Sequence, residues 1–365
     1  MAEKLIPCKP FAWQKGEERA TRTSQSAGTA RLIHRFSGGH KRPVLCVAFA
    51  RGHLITCSAD GTAQVFLRSD YSLVRTYSEH SSDIMSCQLM EDADGVTVVD
   101  TRDSILTASK DCSVKIWNFV TGETLRTFTH AKPVRSAVCS KDIVVSHSGR
   151  SNLYFWSLKD GTLLFQENNL FAMASSLAVN LPMIAFGTFG KMWYLCEVSQ
   201  GDVEEVIVRK ISGHERAVLS VAFDRKGERA LTGGEDRQAI LYYLADGGSI
   251  LFRLTGHIEA VLDACFSSTR DDMGMTTSLD KTARIWDLTN GTCTMVLECT
   301  DSARAGVLKG GFALIGCADN TTVLYDVSEG GYRKMLLLCR GAQTKGSALH
   351  SVPIEVLKTI KQFLI

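Results

Sequence analysis

SLDKTARIW, residues Ser278–Trp286, is the stretch on which the fold turns. A small residue, a spacer and an aspartate precede an alternating segment that closes on an aromatic ring. Aspartate favours a tight turn because its carboxylate accepts backbone hydrogen bonds two residues on. Alternation at period two then places every second side chain on one face of a strand. The phrase recurs as SADGTAQVF at Ser58–Phe66 and SKDCSVKIW at Ser109–Trp117, and more weakly as GEDRQAILY at Gly234–Tyr242 and CADNTTVLY at Cys317–Tyr325. Two further copies have lost the aspartate: SGRSNLYFW (Ser148–Trp156) carries Arg150 in its place, and GTFGKMWYL (Gly187–Leu195) carries Phe189.

The seven slots fall at positions 60, 111, 150, 189, 236, 280 and 319, with spacings of 39 to 51 residues. A histidine precedes five of them by 20 to 31 residues: His40, His80, His130, His214 and His257. Asn169 and Cys299 stand at the 20-residue offset in the other two units. Between histidine and slot lies an alternating apolar strand, such as VLCVAF (Val44–Phe49), VLSVAF (Val218–Phe223) or VLDACF (Val261–Phe266). One unit of roughly 40–45 residues is the length of a four-stranded propeller blade.

With histidine, aspartate turn and closing aromatic in one register over seven units, residues 30–340 resemble the WD-repeat family. The resemblance implies an all-β, seven-bladed propeller with four antiparallel strands per blade. It also implies a buried hydrogen-bonded set in each blade. The candidate members are His40, Ser58 and Asp60; His80, Ser109, Asp111 and Trp117; His214 and Asp236; His257, Ser278, Asp280 and Trp286; and Asp319. In this reading Asp accepts from His, and the Ser hydroxyl links His to the Trp indole N–H. A Ser/His/Asp catalytic triad is excluded on number, since a triad is unique and this set repeats. Blades three and four, which lack the aspartate, read either as drift compensated by apolar packing or as a surface altered for binding, since Phe171, Phe186, Phe189, Met192 and Trp193 crowd there.

A propeller must join its first and last blades, and Ala30–Phe36 is expected to supply the outer strand of the seventh, with Tyr332–Leu338 as the competing candidate. Residues 1–28 are polar and rich in Lys, Arg, Ser and Thr, and read as a disordered tail; residues 29–338 form the propeller and 339–365 a C-terminal tail. The segment Glu91–Asp103 reads as an acidic loop on the bottom face. In Ser351–Ile365, Val356, Leu357, Ile360, Phe363 and Leu364 recur at helical spacing behind Pro353, which predicts a short amphipathic helix. MLLLCR (Met335–Arg340) followed by VPIEVLKTIKQFL is similar to a shortened SOCS box or the opening of an F-box, with Gly341 and Gly346 as departures. That likeness implies ubiquitin-ligase subunits as partners of 335–365.

The chain has 365 residues, 45% hydrophobic and 22% charged, with a formal net charge of +2. So balanced a charge supplies no field to hold nucleic acid, and no run of eighteen apolar residues exists to span a membrane. The N-terminus lacks the apolar core of a signal peptide. Twelve cysteines, including Cys46, Cys87, Cys139 and Cys265, are scattered with no CxxC pair, so reduced, buried thiols are expected and no metal cluster. No P-loop, GxSxG elbow or HExxH appears, and neither a catalytic residue nor a cofactor site is expected. The expected function is a non-catalytic scaffold assembling a multiprotein complex, cytoplasmic, with the nucleus as the alternative; the competing reading is a ubiquitin-ligase substrate receptor. Candidate partner-binding residues follow the histidines or precede the aspartates: Lys41, Arg42, Lys110, Arg135, Arg216, Glu235 and Glu259.

Overall fold

The computed structural model describes residues 30–50, 52–90, 103–149, 152–168, 174–198 and 206–328. Strand β1 (Arg31–Phe36) comes first. Blade 1 follows as β2 (Val44–Ala50), β3 (His53–Ser58), β4 (Ala63–Leu67) and β5 (Leu73–Tyr77). Blade 2 is β6 (Ile84–Met90), β7 (Ser104–Ser109), β8 (Ser113–Asn118) and β9 (Thr124–Thr129); blade 3 is β10 (Val134–Ser140), β11 (Ile143–Ser148), β12 (Asn152–Ser157) and β13 (Leu163–Glu167). Blade 4 is β14 (Ala174–Asn180), β15 (Met183–Thr188), β16 (Trp193–Val198) and β17 (Val206–Ile211); blade 5 is β18 (Val218–Phe223), β19 (Arg229–Gly234), β20 (Ala239–Tyr243) and β21 (Ser249–Leu254). Blade 6 is β22 (Val261–Phe266), β23 (Met273–Ser278), β24 (Thr282–Asp287) and β25 (Thr292–Glu298). The seventh sheet, β26 (Ala303–Lys309), β27 (Phe312–Cys317) and β28 (Thr322–Asp326), takes β1 as its outer strand. The ring therefore closes through residues 31–36, with Arg31 opposite Asp326 and Phe36 opposite Thr322.

Each inner strand is covered on both faces by neighbouring blades, so β3, β7 and β27 are buried almost throughout. The outer strands face solvent: Leu73, Leu163, Leu164, Ile250 and Leu251 are exposed. Apolar packing is distributed around the ring as seven clusters, one at each seam between blades. Polar stitches join the inner strands: the Ser220 hydroxyl accepts from the Ala264 amide, and Asp263 accepts from both Ser220 and the Gly306 amide. The innermost strand pair of every blade shifts register after its first residue, from Val44/Cys46 in blade 1 to Ala303/Ala305 in blade 7. Each shift leaves one extra residue bulged out of the ladder. These bulged residues, among them Leu45, Met85, Arg135, Leu219, Leu262 and Arg304, line the central channel.

The acidic loop 91–102, the tail 1–28 and the segment 329–365, with its expected helix, adaptor-box likeness and alternative closing strand, lie outside the described residues, as do Arg150, Asn169 and Phe171. Among the described residues no helix is long and apolar enough to cross a membrane.

Candidate protein-binding rim

The rim is built from the aspartate turns upward. In blade 6 the Asp280 carboxylate accepts from the Thr282 amide at 3.0 Å and from its hydroxyl at 2.6 Å. This clamp holds the intervening residue in the left-handed region: φ is 66° at Lys281, 69° at Cys112 and Arg237, and 68° at Asn320. In blade 1 the residue is Gly61, which adopts that conformation without a Cβ penalty.

The same carboxylates receive the histidines. His80 and Asp111 are 2.8 Å apart through Nδ1 and Oδ2, His257 and Asp280 2.8 Å, His214 and Asp236 2.9 Å, and His40 and Asp60 3.3 Å. A carboxylate only accepts, so Nδ1 carries the proton and Nε2 is left as an acceptor. Burial keeps the imidazoles of His40, His80 and His257 below their ordinary value despite the facing carboxylate. Burial alone would raise the Asp111 and Asp280 carboxyls. Hydrogen bonds from Ser113 and His80 to the former, and from Thr282 and His257 to the latter, outweigh it and hold both below the usual carboxylate value.

The hydroxyl that meets Nε2 differs from the one expected. It belongs to Thr56, Thr107, Thr232 and Thr276, at 2.7–2.9 Å, and not to Ser58, Ser109 or Ser278. Thr276 takes the Trp286 indole N–H at 2.8 Å, and in blade 3 Ser146 serves His130 and Trp156 in the same way. The serines sit two residues further along the strand. There they donate to loop carbonyls, Ser109 to Ser82 and Ser278 to Glu259, and accept the aspartate's own amide. The physical reason is the pleat. Both positions face the same side, but the cross-strand partner of Trp286 is Gly274, so Thr276 is one same-face step from the indole and Ser278 two, beside the loop carbonyl. In blade 2 the Trp117 indole N–H has no hydrogen-bond partner among the described residues, and the ring instead stacks on Tyr77 at 4.0 Å.

Blade 7 places Cys299 where five other blades have histidine; it packs in the cluster that holds Cys317, while Asp319 clamps its own turn through Thr321. In blade 3, His130 has no carboxylate contact among the described residues, and its buried Nδ1 meets no partner among them. Burial pushes its pKa down to about 4. The crowded aromatic stretch of blade 4 is resolved as packing: Phe186 and Trp193 are buried, and Trp193 meets Tyr242 of blade 5 at 5.1 Å. Among the described residues of that stretch Phe189 is exposed, and the Arg135 guanidinium lies over its ring at 5.3 Å.

The conserved geometry of the turns fixes the loops above them. Asp60, Asp111, Asp236 and Asp280 each accept the backbone N–H of the residue after the histidine, namely Lys41, Ser81, Glu215 and Ile258, at 2.8–3.1 Å. Those four residues are exposed, Ile258 by 70%. Of the candidates read from sequence, Lys41, Arg216, Glu235 and Glu259 are exposed on this rim. Arg42 and Lys110 are already engaged with Asp83, Arg42 at 2.8 Å across the seam of blades 1 and 2 and Lys110 at 2.7 Å within blade 2. Arg135 is a bulge residue of the channel mouth. Sequence reasoning missed Ser81, Glu215 and Ile258, although their place directly after the histidine was a usable signal.

It also missed a cluster. Cys46, Cys57 and Cys87 were expected to be scattered, yet their sulfurs lie within 4.8 Å of one another. Cys46 and Cys57 are cross-strand partners, and the seam between blades 1 and 2 brings Cys87 to them.

A closed ring of seven four-stranded blades, carrying pinned and exposed loops on one face, defines a propeller of the repeat-built recognition class. The WD domain, G-beta repeat family model matches residues 30–66, 71–118, 205–242 and 248–287. The chain belongs to the WD-repeat family. The matched units are those with a full His–Asp pair; the units ending in blades 3, 4 and 7 fall outside the matches. Among curated proteins, the chain is 28% identical to THO complex subunit 3 of Arabidopsis thaliana over 33% of this chain and 40% of that one. It is 26% identical to nuclear distribution protein nudF of Aspergillus niger over 62% and 57%, and 27% identical to eukaryotic translation initiation factor 3 subunit I of Xenopus tropicalis over 52% and 61%. The chain spans about half the length of the curated relatives it matches.

Proposed function

We propose that this protein is a non-catalytic scaffold that holds protein partners on the rim of the propeller and so assembles a multiprotein complex inside the cell, in cytoplasm or nucleus. The observation that carries the reading is that half-buried aspartates pin the backbone amides of four exposed residues, Lys41, Ser81, Glu215 and Ile258. A loop anchored by its own amide loses little conformational entropy when a partner docks, which is how pre-organisation raises affinity. Mixed charge from Lys41, Arg216, Glu215, Glu235 and Glu259 around an exposed isoleucine suits a protein surface better than a phosphate backbone. Two of the relatives carry the words complex subunit or factor subunit in their names, which supports the same reading. Recruitment of ubiquitin-ligase subunits through 335–365 rests on sequence likeness alone.

The test is affinity purification with mass spectrometry on the wild type and on a rim variant, Lys41→Ala, Arg216→Ala, Glu235→Ala and Ile258→Asp combined. The scaffold reading expects a defined set of partners with the wild type and its loss with the variant, at unchanged thermal stability. Undiminished partner recovery by the folded variant would sink the assignment to the rim.

A further inference from the structure

The innermost strands repeat one pattern at the seams. The residue just past the bulge presents a polar atom to the next blade: Ser86 accepts the Ala137 amide, Ser220 the Ala264 amide, and Asp263 the Gly306 amide. Cys46 stands at this place in blade 1, since it follows the bulge after Val44, as Ser86 follows that after Ile84. The residue it is aimed at in blade 2 is Cys87. The cross-strand partner of Cys46 is Cys57, which is fully buried. Other blades have Ala108, His147, Gly187, Gly233, Thr277 and Gly316 at the position of Cys57, so the blade 1–2 seam alone brings three thiols together.

Three sulfurs around one ion at a metal–thiolate distance of about 2.3 Å are separated from each other by roughly 4 Å. The observed separations, all within 4.8 Å, need only small rotations of the side chains to reach that arrangement. Cys46 and Cys87 also line the central channel, which gives an ion a path to the cluster. The surroundings are Ile55, Val65, Ile84 and Ile105, and the donor set found among the described residues is three cysteines with no histidine or carboxylate. Thiolate donors select soft ions. Structural zinc asks for four ligands, whereas monovalent copper is satisfied by three sulfurs in a plane.

We propose that Cys46, Cys57 and Cys87 form a binding site for one Cu(I) ion, held by three sulfurs at the seam of blades 1 and 2. The ion ties two hairpins of neighbouring blades together, and the thiol protons it displaces leave through the channel.

The full-length protein, reduced and kept anaerobic, is titrated with Cu(I) buffered by a competing chelator, beside the single variants Cys46→Ser and Cys87→Ala. Both variants should fold, because Ser and Ala occupy the equivalent places at Ser86 and Ala137; far-UV circular dichroism checks this. The wild type is expected to take up one more equivalent than either variant, or to hold it at least about tenfold more tightly, since even residues behind a metal ligand are worth 10–100-fold. X-ray absorption should show three sulfurs at about 2.3 Å, and the thermal midpoint should rise with Cu(I) in the wild type only. Equal uptake by wild type and folded variants would show three packing thiols and overturn the site. A two-sulfur shell, or Zn(II) that excess Cu(I) cannot displace, would overturn the assignment to trigonal copper.

Discussion

The difference between Thr276 and Ser278 shows how much one position along a strand decides. Thr276 stands between two buried groups, the His257 imidazole and the Trp286 indole, and satisfies both. Thr276→Val keeps the shape and leaves both unsatisfied, so a loss of about 2–4 kcal/mol is expected from two orphaned polar groups. Ser278→Ala removes one bond to a loop carbonyl and should cost about 1 kcal/mol. Urea unfolding of the two variants measures the ordering, and a larger loss for Ser278→Ala would restore the serine as the link. His130 supplies the pH prediction. Its folded pKa of about 4 lies below the ordinary 6.5, so between those values the unfolded chain binds a proton that the folded chain does not. Stability is therefore flat above pH 6.5 and falls as pH drops from 6.5 towards 4, by about 1.4 kcal/mol per unit for this residue. Lowered His40, His80 and His257 act in the same direction. His130→Gln can keep a polar contact to the Ser146 hydroxyl and cannot titrate, so its urea midpoint should decline less steeply over that window. A slope equal to the wild type would remove His130 from the account.

Among elements, β1 has the largest leverage for its size. It is the one strand that reaches its sheet from the far end of the described chain, and without it β28 has an open edge. The sequence showed β1 as an alternating strand ahead of Gly39–His40, in the manner of Leu251–Leu254 ahead of Gly256–His257. Deleting residues 1–29 is expected to leave the melting curve unchanged. Deleting residues 1–37 exposes the edge of β28 and uncovers the apolar cluster that Phe36 shares with Val47, Phe49, Phe66 and Leu324. The expected result is a fall in midpoint of several degrees, or aggregation through the free edge. Equal melting curves for the two truncations would mean that the ring does not depend on this closure. The weak blades were harder to read. With no aspartate slot, blade 4 depends on Phe186, Trp193 and Leu195 packing across seams, and apolar substitutions of that kind carry no fixed spacing.

For the whole molecule, the rim and the C-terminal segment make separable predictions. If the propeller alone holds the partners, a chain ending at residue 340 should recover the same proteins as the full-length chain in affinity purification. Ligase subunits recovered only with the full-length chain would move the function to 335–365. The sequence by itself determined the number of blades, because turn chemistry and strand alternation repeat at one spacing, while the four-stranded blade and the His–Asp pairs were legible through the resemblance to WD repeats. Only the tertiary structure decided which hydroxyl meets the imidazole, which rim charges are already paired at Asp83, and that Cys46, Cys57 and Cys87 share one place. These depend on how neighbouring strands and blades register across seams. Residues 41 positions apart, such as Arg42 and Asp83, meet there because consecutive blades pack side by side, and no local pattern in the chain encodes such a meeting.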